Sequence, residues 1–167
     1  MIDTPTILNQ ERVGSVLTHL GIRWLRSAAG TLVAQFRPDR SGPLVTASYR
    51  VEGDEDQVLA VRAVTEAVYD PDDWPRLVGA LNAWHSSHRW PVASLVESEL
   101  EGQVVAAVDV FLPAGATDSQ LAALLSMATG NVVDFHLWLA RRHQEAGSSG
   151  DDTPSVEELE RWFHGIE

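Results

Sequence analysis

The chain has 167 residues, with 24 Asp and Glu against 12 Arg, no Lys and no Cys, and a formal charge of −12 at pH 7. Without Cys it forms neither a disulfide framework nor a thiolate-ligated zinc or iron–sulfur centre. At 44% hydrophobic residues, the composition suits one domain with one core, burying on folding roughly two-thirds of the surface that the unfolded chain exposes.

The first six residues, Met1 to Thr6, hold no basic segment followed by an apolar stretch. No uninterrupted apolar run approaches the ~20 residues of a membrane helix, so the expectation is a soluble, cytoplasmic protein with no membrane partner. Residues 1–50 carry six Arg against Asp3, Glu11 and Asp39, and the remainder carries six Arg against 21 acids. That asymmetry does not make a nucleic-acid site: a chain this acidic repels phosphate unless its cations are massed on one face. Arg23 and Arg26 differ in parity and would point to opposite faces of a strand.

Asn9 is placed as the N-cap of a first helix, with Leu8 and Val13 as a hydrophobic staple. Val13, Val16, Leu17 and Leu20 fall at i, i+3, i+4 and i+7, and Gly21 sits where a left-handed terminal residue belongs. From Ile22 to Ala67 β-branched and aromatic runs alternate with turn residues, which predicts four antiparallel strands near 22–28, 31–37, 44–52 and 57–67. The acids Glu52, Asp54, Glu55 and Asp56 lack the full twelve-residue pattern of a calcium loop and read as a solvated turn.

Asp70-Pro71-Asp72-Asp73 opens a second helix, with Pro at its first position and acids facing the positive end of the dipole. Its apolar stripe is Trp74, Leu77, Val78 and Leu81, and it ends near His88, before Trp90-Pro91. A hairpin with strands near 93–100 and 103–112 follows. Thr117 and Gln120 then form a capping box for a third helix of about 25 residues, whose core stripe is Leu121, Leu124, Leu125, Ala128, Val132, Phe135 and Leu139. The predicted fold is α+β: an antiparallel sheet of five or six strands with helices packed mainly on one face. The domain spans 1–145, residues 146–154 read as a Gly/Ser-rich linker, and 155–167 read as a short amphipathic helix with Leu159, Trp162, Phe163 and Ile166 on one stripe.

Chemistry leaves few signatures. The glycines never approach a P-loop or a G-x-G-x-x-G pattern, and neither G-x-S-x-G nor H-E-x-x-H occurs, so no catalytic residue, cofactor or metal is expected. Three residues define the alternative, a small enzyme or ligand-binding protein. His85 and His88 are three apart on the second helix, where two imidazoles can reach one cation, and Asp109 lies within the apolar run from Val104 to Leu112. Against this, a helix end that turns toward the core commonly carries a hydrogen-bonded His, and a strand acid more often faces outward. His136, at the edge of the third helix's stripe, has the same structural reading.

The element order, together with Leu81-Asn82-Ala83-Trp84 at a helix end, Trp90-Pro91 leading into the next strand, Asp109 in the second hairpin strand and the Gly115-to-Leu121 helix start, resembles the YbjN family of bacterial proteins over roughly residues 6–143. Those proteins are labelled sensory transduction regulators, and their fold resembles that of type III secretion chaperones. At His85 the family more often shows Asn. The resemblance implies no reaction and no catalytic residue; it implies a regulatory, chaperone-like protein-binding module, with homodimerisation as a further expectation. The residues suggest where a protein partner of unknown identity would sit. Met127, Val133, Leu137 and Trp138 project from the third helix away from Leu121 and Leu139, and Leu159, Trp162, Phe163 and Ile166 form the second apolar stripe.

Overall fold

The computed structural model describes residues 4–38, 40–97 and 101–148. Asn9 begins the first helix, α1 (Gln10–His19), by accepting the Arg12 N–H on its Oδ1 at 2.8 Å. Leu8 and Val13 are both buried beside it, as a staple requires. The helix closes in a Schellman turn in which Ile22 N donates to Leu17 O and Gly21 N to Thr18 O, with Gly21 at φ +75°. The next residues do not extend into a strand as the sequence suggests. The Trp24 indole N–H turns back onto α1 and donates to Gly14 O and Thr18 Oγ1, both at 3.0 Å. Strand β1 is consequently reduced to Leu25–Arg26.

Strands β2 (Leu32–Phe36), β3 (Val45–Glu52) and β4 (Val58–Thr65) then form a meander. The acidic segment between β3 and β4 is a tight turn in which Asp56 N donates to Gly53 O. A 3-10 turn at Pro71–Asp73 precedes α2 (Trp74–Ser87) where the sequence suggests one continuous helix. The buried residues of α2 are Leu77, Ala80, Leu81 and Trp84, and Val78 of the expected stripe faces outward. The hairpin of β5 (Val92–Glu97) and β6 (Gly102–Phe111) places β6 inside the sheet and β5 at its edge.

The final helix, α3 (Asp118–Ser148), starts on the expected capping box: Gln120 N donates to Thr117 Oγ1 at 3.1 Å and Thr117 N to Gln120 Oε1 at 3.0 Å. It continues past residue 145 into the segment read as linker; helix ends often shift by a turn or less between sequence and structure. The rest of that segment and residues 155–167 lie outside the described residues. No helix among the described residues is long and apolar enough to cross a membrane.

All six strands form one antiparallel sheet in the order β1-β2-β3-β4-β6-β5. Helices cover its inner face, where Val45, Ala47 and Tyr49 of β3 pair with Thr65, Ala63 and Val61 of β4, and Val108 and Ala106 of β6 continue the rows. Leu121, Leu125, Ala128, Val132, Phe135 and Leu139 of α3 close this layer. Its few polar groups are paired: Tyr49 Oη meets Thr129 Oγ1 at 3.0 Å, and His136 Nε2 donates to Ala63 O at 3.0 Å. Burial pushes the Tyr49 phenol up to about 12 and holds His136 below its ordinary value, the Ala63 carbonyl opposing that shift only in part.

Candidate functional site: the open face of the sheet

Because side chains alternate along a strand, every residue between two core residues above must emerge on the other side of the sheet. The register fixes which ones these are. In one row across the sheet Ser48, Arg62, Ala107 and Val92 are neighbours; in the next, Arg50, Ala60 and Asp109; beyond that, Glu52, Val58 and Phe111. On the other side lie Val105 opposite Ser94 and Gln103 opposite Val96. Most of these side chains are small or β-branched, so the face is shallow and broad. Its apolar members are strongly exposed: Val92 at 58%, Val96 at 54% and Phe111 at 65%, with Leu25 of β1 at 79% on the far flank. Isolated exposed apolar residues are ordinary, but several sharing one sheet face are not.

A charged cluster occupies the centre. The Arg62 guanidinium grips Glu52 in a bidentate pair, Nη1 to Oε1 at 2.7 Å and Nη2 to Oε2 at 3.0 Å. Arg50 approaches the same carboxylate at 3.6 Å, and Asp109 lies 3.7 Å from Arg62. Ala60, between these rows, is only 1% exposed, because the long Arg62 and Glu52 side chains span the row it occupies. The hydrogen bonds from Arg62 hold the Glu52 carboxyl below the usual carboxylate range, and Glu52 in turn raises Arg62. The cluster is therefore two cations set against two anions, with Glu52 and Arg62 locked in a bidentate grip, an arrangement suited to orienting a partner.

The structure does not gather His85, His88 and Asp109 into one site. His85 accepts the Ala93 N–H on Nε2 at 3.0 Å, and so covers a donor of the edge strand β5. His88 stacks on Trp84, with ring centroids 3.7 Å apart and planes 5° from parallel, and its Nδ1 lies 2.9 Å from Ser87 Oγ. Asp109 belongs to the open face. Among the described residues no group of three or more His, Asp or Glu is placed to hold a metal ion. A cleft of about 410 Å³ between α1 and α3 is lined by residues including His19 and Asp118, and one of about 260 Å³ at the end of β5 and β6 by Val68, Val96 and Gln103. Neither is lined by His85, His88 or Asp109.

The four α3 residues expected at a partner surface are drawn largely into their own domain. Val133 is buried, and Leu137 and Trp138 pack against the core. The Trp138 ring lies 5.1 Å from that of Trp84 and 6.0 Å from that of Phe135, with Arg142 above it at 5.5 Å. Met127 is half-buried and receives the Asn131 amide at 3.0 Å. For Trp138 the reason is α2, whose Trp84 packs against it; a helical projection of α3 alone contains no such neighbour. Leu159, Trp162, Phe163 and Ile166 lie outside the described residues. The open face itself had one sequence signal, the alternation Gln103, Val105, Ala107, Asp109, Phe111, which contains polar and apolar residues alike and so does not declare which side is wet.

No curated protein sequence matches the chain. The chain is similar to the crystal structure of YbjN, a putative transcription regulator from E. coli, with a TM-score of 0.66 and 19% sequence identity over 84% of this chain and 97% of that one. At that identity the likeness speaks for the fold. A family model described as "YbjN: Putative bacterial sensory transduction regulator" matches residues 9–141, the whole span from the cap of α1 to the last turns of α3. The chain belongs to the YbjN family.

Proposed function

We propose that this member of a regulator family works as a non-enzymatic protein-binding module that receives its partner on the open face of the sheet. The observation that carries the proposal is the coincidence of Val92, Val96 and Phe111, all more than half exposed, on one face around a paired charge cluster. Apolar area beside fixed, oriented charges is the composition of a recognition surface: burial supplies affinity and the ion pairs set register. A chaperone-like role, implied by the family resemblance, follows if the partner presents an apolar segment in its unfolded state. The same face would carry the homodimer which that resemblance also implies.

Affinity capture from an extract of the native bacterium tests the proposal with three baits: the unaltered chain, Val96→Glu and Phe111→Glu. A charge set into an apolar contact is desolvated without a partner. The captured protein is expected to disappear from both face variants while their far-ultraviolet spectra stay unchanged. Capture that survives both substitutions and is lost with Trp138→Glu would move the surface to the helices and defeat the proposal. Light scattering on the same samples reads the homodimer separately.

A further inference from the structure

We propose that the free edge of β5 is where the partner is gripped: an extended segment of another polypeptide, apolar at alternate positions and carrying a basic residue, adds to the sheet there as a further strand. The inference rests on the partner surface proposed above and deepens it, because Val92 and Val96 of the open face stand on this strand.

The two edges of the sheet are built differently. β1 is two residues long and one of them is Arg26, so that edge offers a second strand little to pair with. β5 has six residues with neither proline nor cation, and it pairs with β6 without a bulge from Val92 to Glu97. It therefore lacks most of the devices that blunt an edge. In an antiparallel ladder each residue turns its N–H and C=O to one side, and its two neighbours turn theirs to the other. The Ala93 N–H leaves the sheet for His85 Nε2 at 3.0 Å, so Leu95 and Glu97 face away from β6 as well. Among the described residues, His85 is the one side chain that takes a β5 backbone group on this side. The Leu95 N–H and C=O stand open beyond it, and an extended backbone supplies the acceptor and donor they lack.

The charge of the occupant follows from the end of the strand. Val96 and Glu97 line the cleft of about 260 Å³ there together with Val68, Glu101 and Gln103, which makes it partly apolar, acidic and free of cations. No salt bridge among the described residues engages Glu97. A basic residue opposite Glu97 would complete a cross-strand pair, and an apolar one opposite Val96 would widen the open face. A second copy of this chain fits worse. Antiparallel pairing of two β5 edges about a two-fold axis that centres on Ser94 or Leu95 calls on the Ala93 N–H, which His85 already holds. Centring on Val96 or Glu97 sets the two Glu97 side chains diagonally or directly across from each other, and each molecule brings a charge of −12.

Two acetylated and amidated peptides serve as probes of the isotope-labelled full-length protein, Arg-Val-Thr-Val-Thr and its acidic counterpart Glu-Val-Thr-Val-Thr. Paired antiparallel, the first sets its Arg opposite Glu97 and the adjoining Val opposite Val96. Hydrogen exchange of the Leu95 amide should slow several-fold with the basic peptide and stay unchanged with the acidic one, while the Val96 amide, which faces β6, keeps its rate. In His85→Ala the uncovered Ala93 amide should exchange fast alone and slowly with the basic peptide. Leu95→Pro removes the outward N–H and leaves the ladder to β6 intact, so it should abolish peptide binding; the exchange measurement on the unaltered chain decides the matter if that variant does not fold. No protection of Leu95 at millimolar basic peptide, or equal protection by both peptides, overturns the proposal. So does protection that grows with protein concentration in the absence of peptide, since that would give the edge to a second copy. Capture of the partner separates edge from face: loss with Leu95→Pro but not with Phe111→Glu keeps the edge and rejects the open face, and loss with Phe111→Glu but not with Leu95→Pro keeps the face and overturns the added strand.

Discussion

The two faces of the sheet are written in the same strands, one residue out of step, and they differ in almost every physical respect. On the inner side Val45, Tyr49, Leu59, Val61, Val104 and Val108 are buried beneath the helices, and among the described residues every buried side-chain nitrogen and oxygen has a partner. On the outer side, alternate positions of those strands carry Arg50, Glu52, Arg62, Asp109 and exposed valines. Hydrophobicity alone does not separate them, since Val92, Val96 and Phe111 are as apolar as anything in the core. What separates them is company: an inner residue is surrounded by helix, and an outer one has only its neighbours in the sheet. Stability is therefore expected to reside on one face, leaving the other free to be shaped by binding.

Two phenylalanines give the sharpest way to break this comparison. Phe135 is wholly buried and touches the rings of Trp84 and His136, so Phe135→Ala should cost about 3–5 kcal/mol in denaturant unfolding. Phe111→Ala, on the open face, should change stability by no more than about 0.5 kcal/mol. Comparable losses would mean that the outer face is also part of the core.

Next in size is Gly115→Ala. Gly115 has φ +72°, and a Cβ there would run into the backbone carbonyl of Thr6, where Thr6 and Ala116 exchange the hydrogen bonds that tie the N-terminal segment to the start of α3. Left-handed geometry alone costs an alanine about 1–2 kcal/mol, and here a backbone must also move. A loss of at least about 2 kcal/mol is expected, while Gly79→Ala, with open space around its Cβ, should be neutral or stabilising. Equal effects would show that the Thr6–Ala116 pairing carries no weight.

How much of this was legible depended on whether the signal was local. The Asn9 cap, the Leu8–Val13 staple, the Gly21 turn and the Thr117–Gln120 box are contacts within a few residues, and all form as the sequence implies. The core stripe of α3 is equally plain, because one face of that helix meets one sheet. The fate of Trp138 was not legible, since it depends on Trp84, more than fifty positions earlier in the chain. The shortening of β1 had the same cause, with Trp24 preferring the carbonyl of Gly14 to a place in a strand. Asp109 reads from the sequence as a strand acid that faces outward; its pairing with Arg62 needs the register of β4 against β6.

A pH titration sharpens the comparison further, because the faces respond in different windows. His136 on the inner side has its pKa lowered by burial from an ordinary value of 6.5. Between the folded value and 6.5 the unfolded chain binds more protons, so stability is complete above pH 6.5 and declines as pH falls toward the folded pKa. His136→Gln keeps an N–H for Ala63 O and should flatten that slope at some cost in packing. If the slope persists in the variant, another group is responsible.

The smallest effect belongs to the ion cluster. Glu52 also has a lowered pKa, chiefly through its hydrogen bonds to Arg62, so its contribution is present above its ordinary 4.5 and is lost as pH falls through the folded value, a window below that of His136. Its magnitude is limited because the Arg62 side chain is 38% exposed and that of Glu52 27%. Water screens such a pair, and exposed pairs are worth about 0–1 kcal/mol. Glu52→Gln should thus shift the unfolding midpoint slightly, and by less still at high salt. The same substitution leaves Arg62 with Asp109 as its remaining anion, 3.7 Å away and without a bidentate grip, so the guanidinium should swing. A nearly unchanged melting temperature together with altered partner binding would mark the cluster as a recognition element. A loss of several kcal/mol would instead make it part of what holds the sheet together, and the contrast between the two faces would fail at its centre.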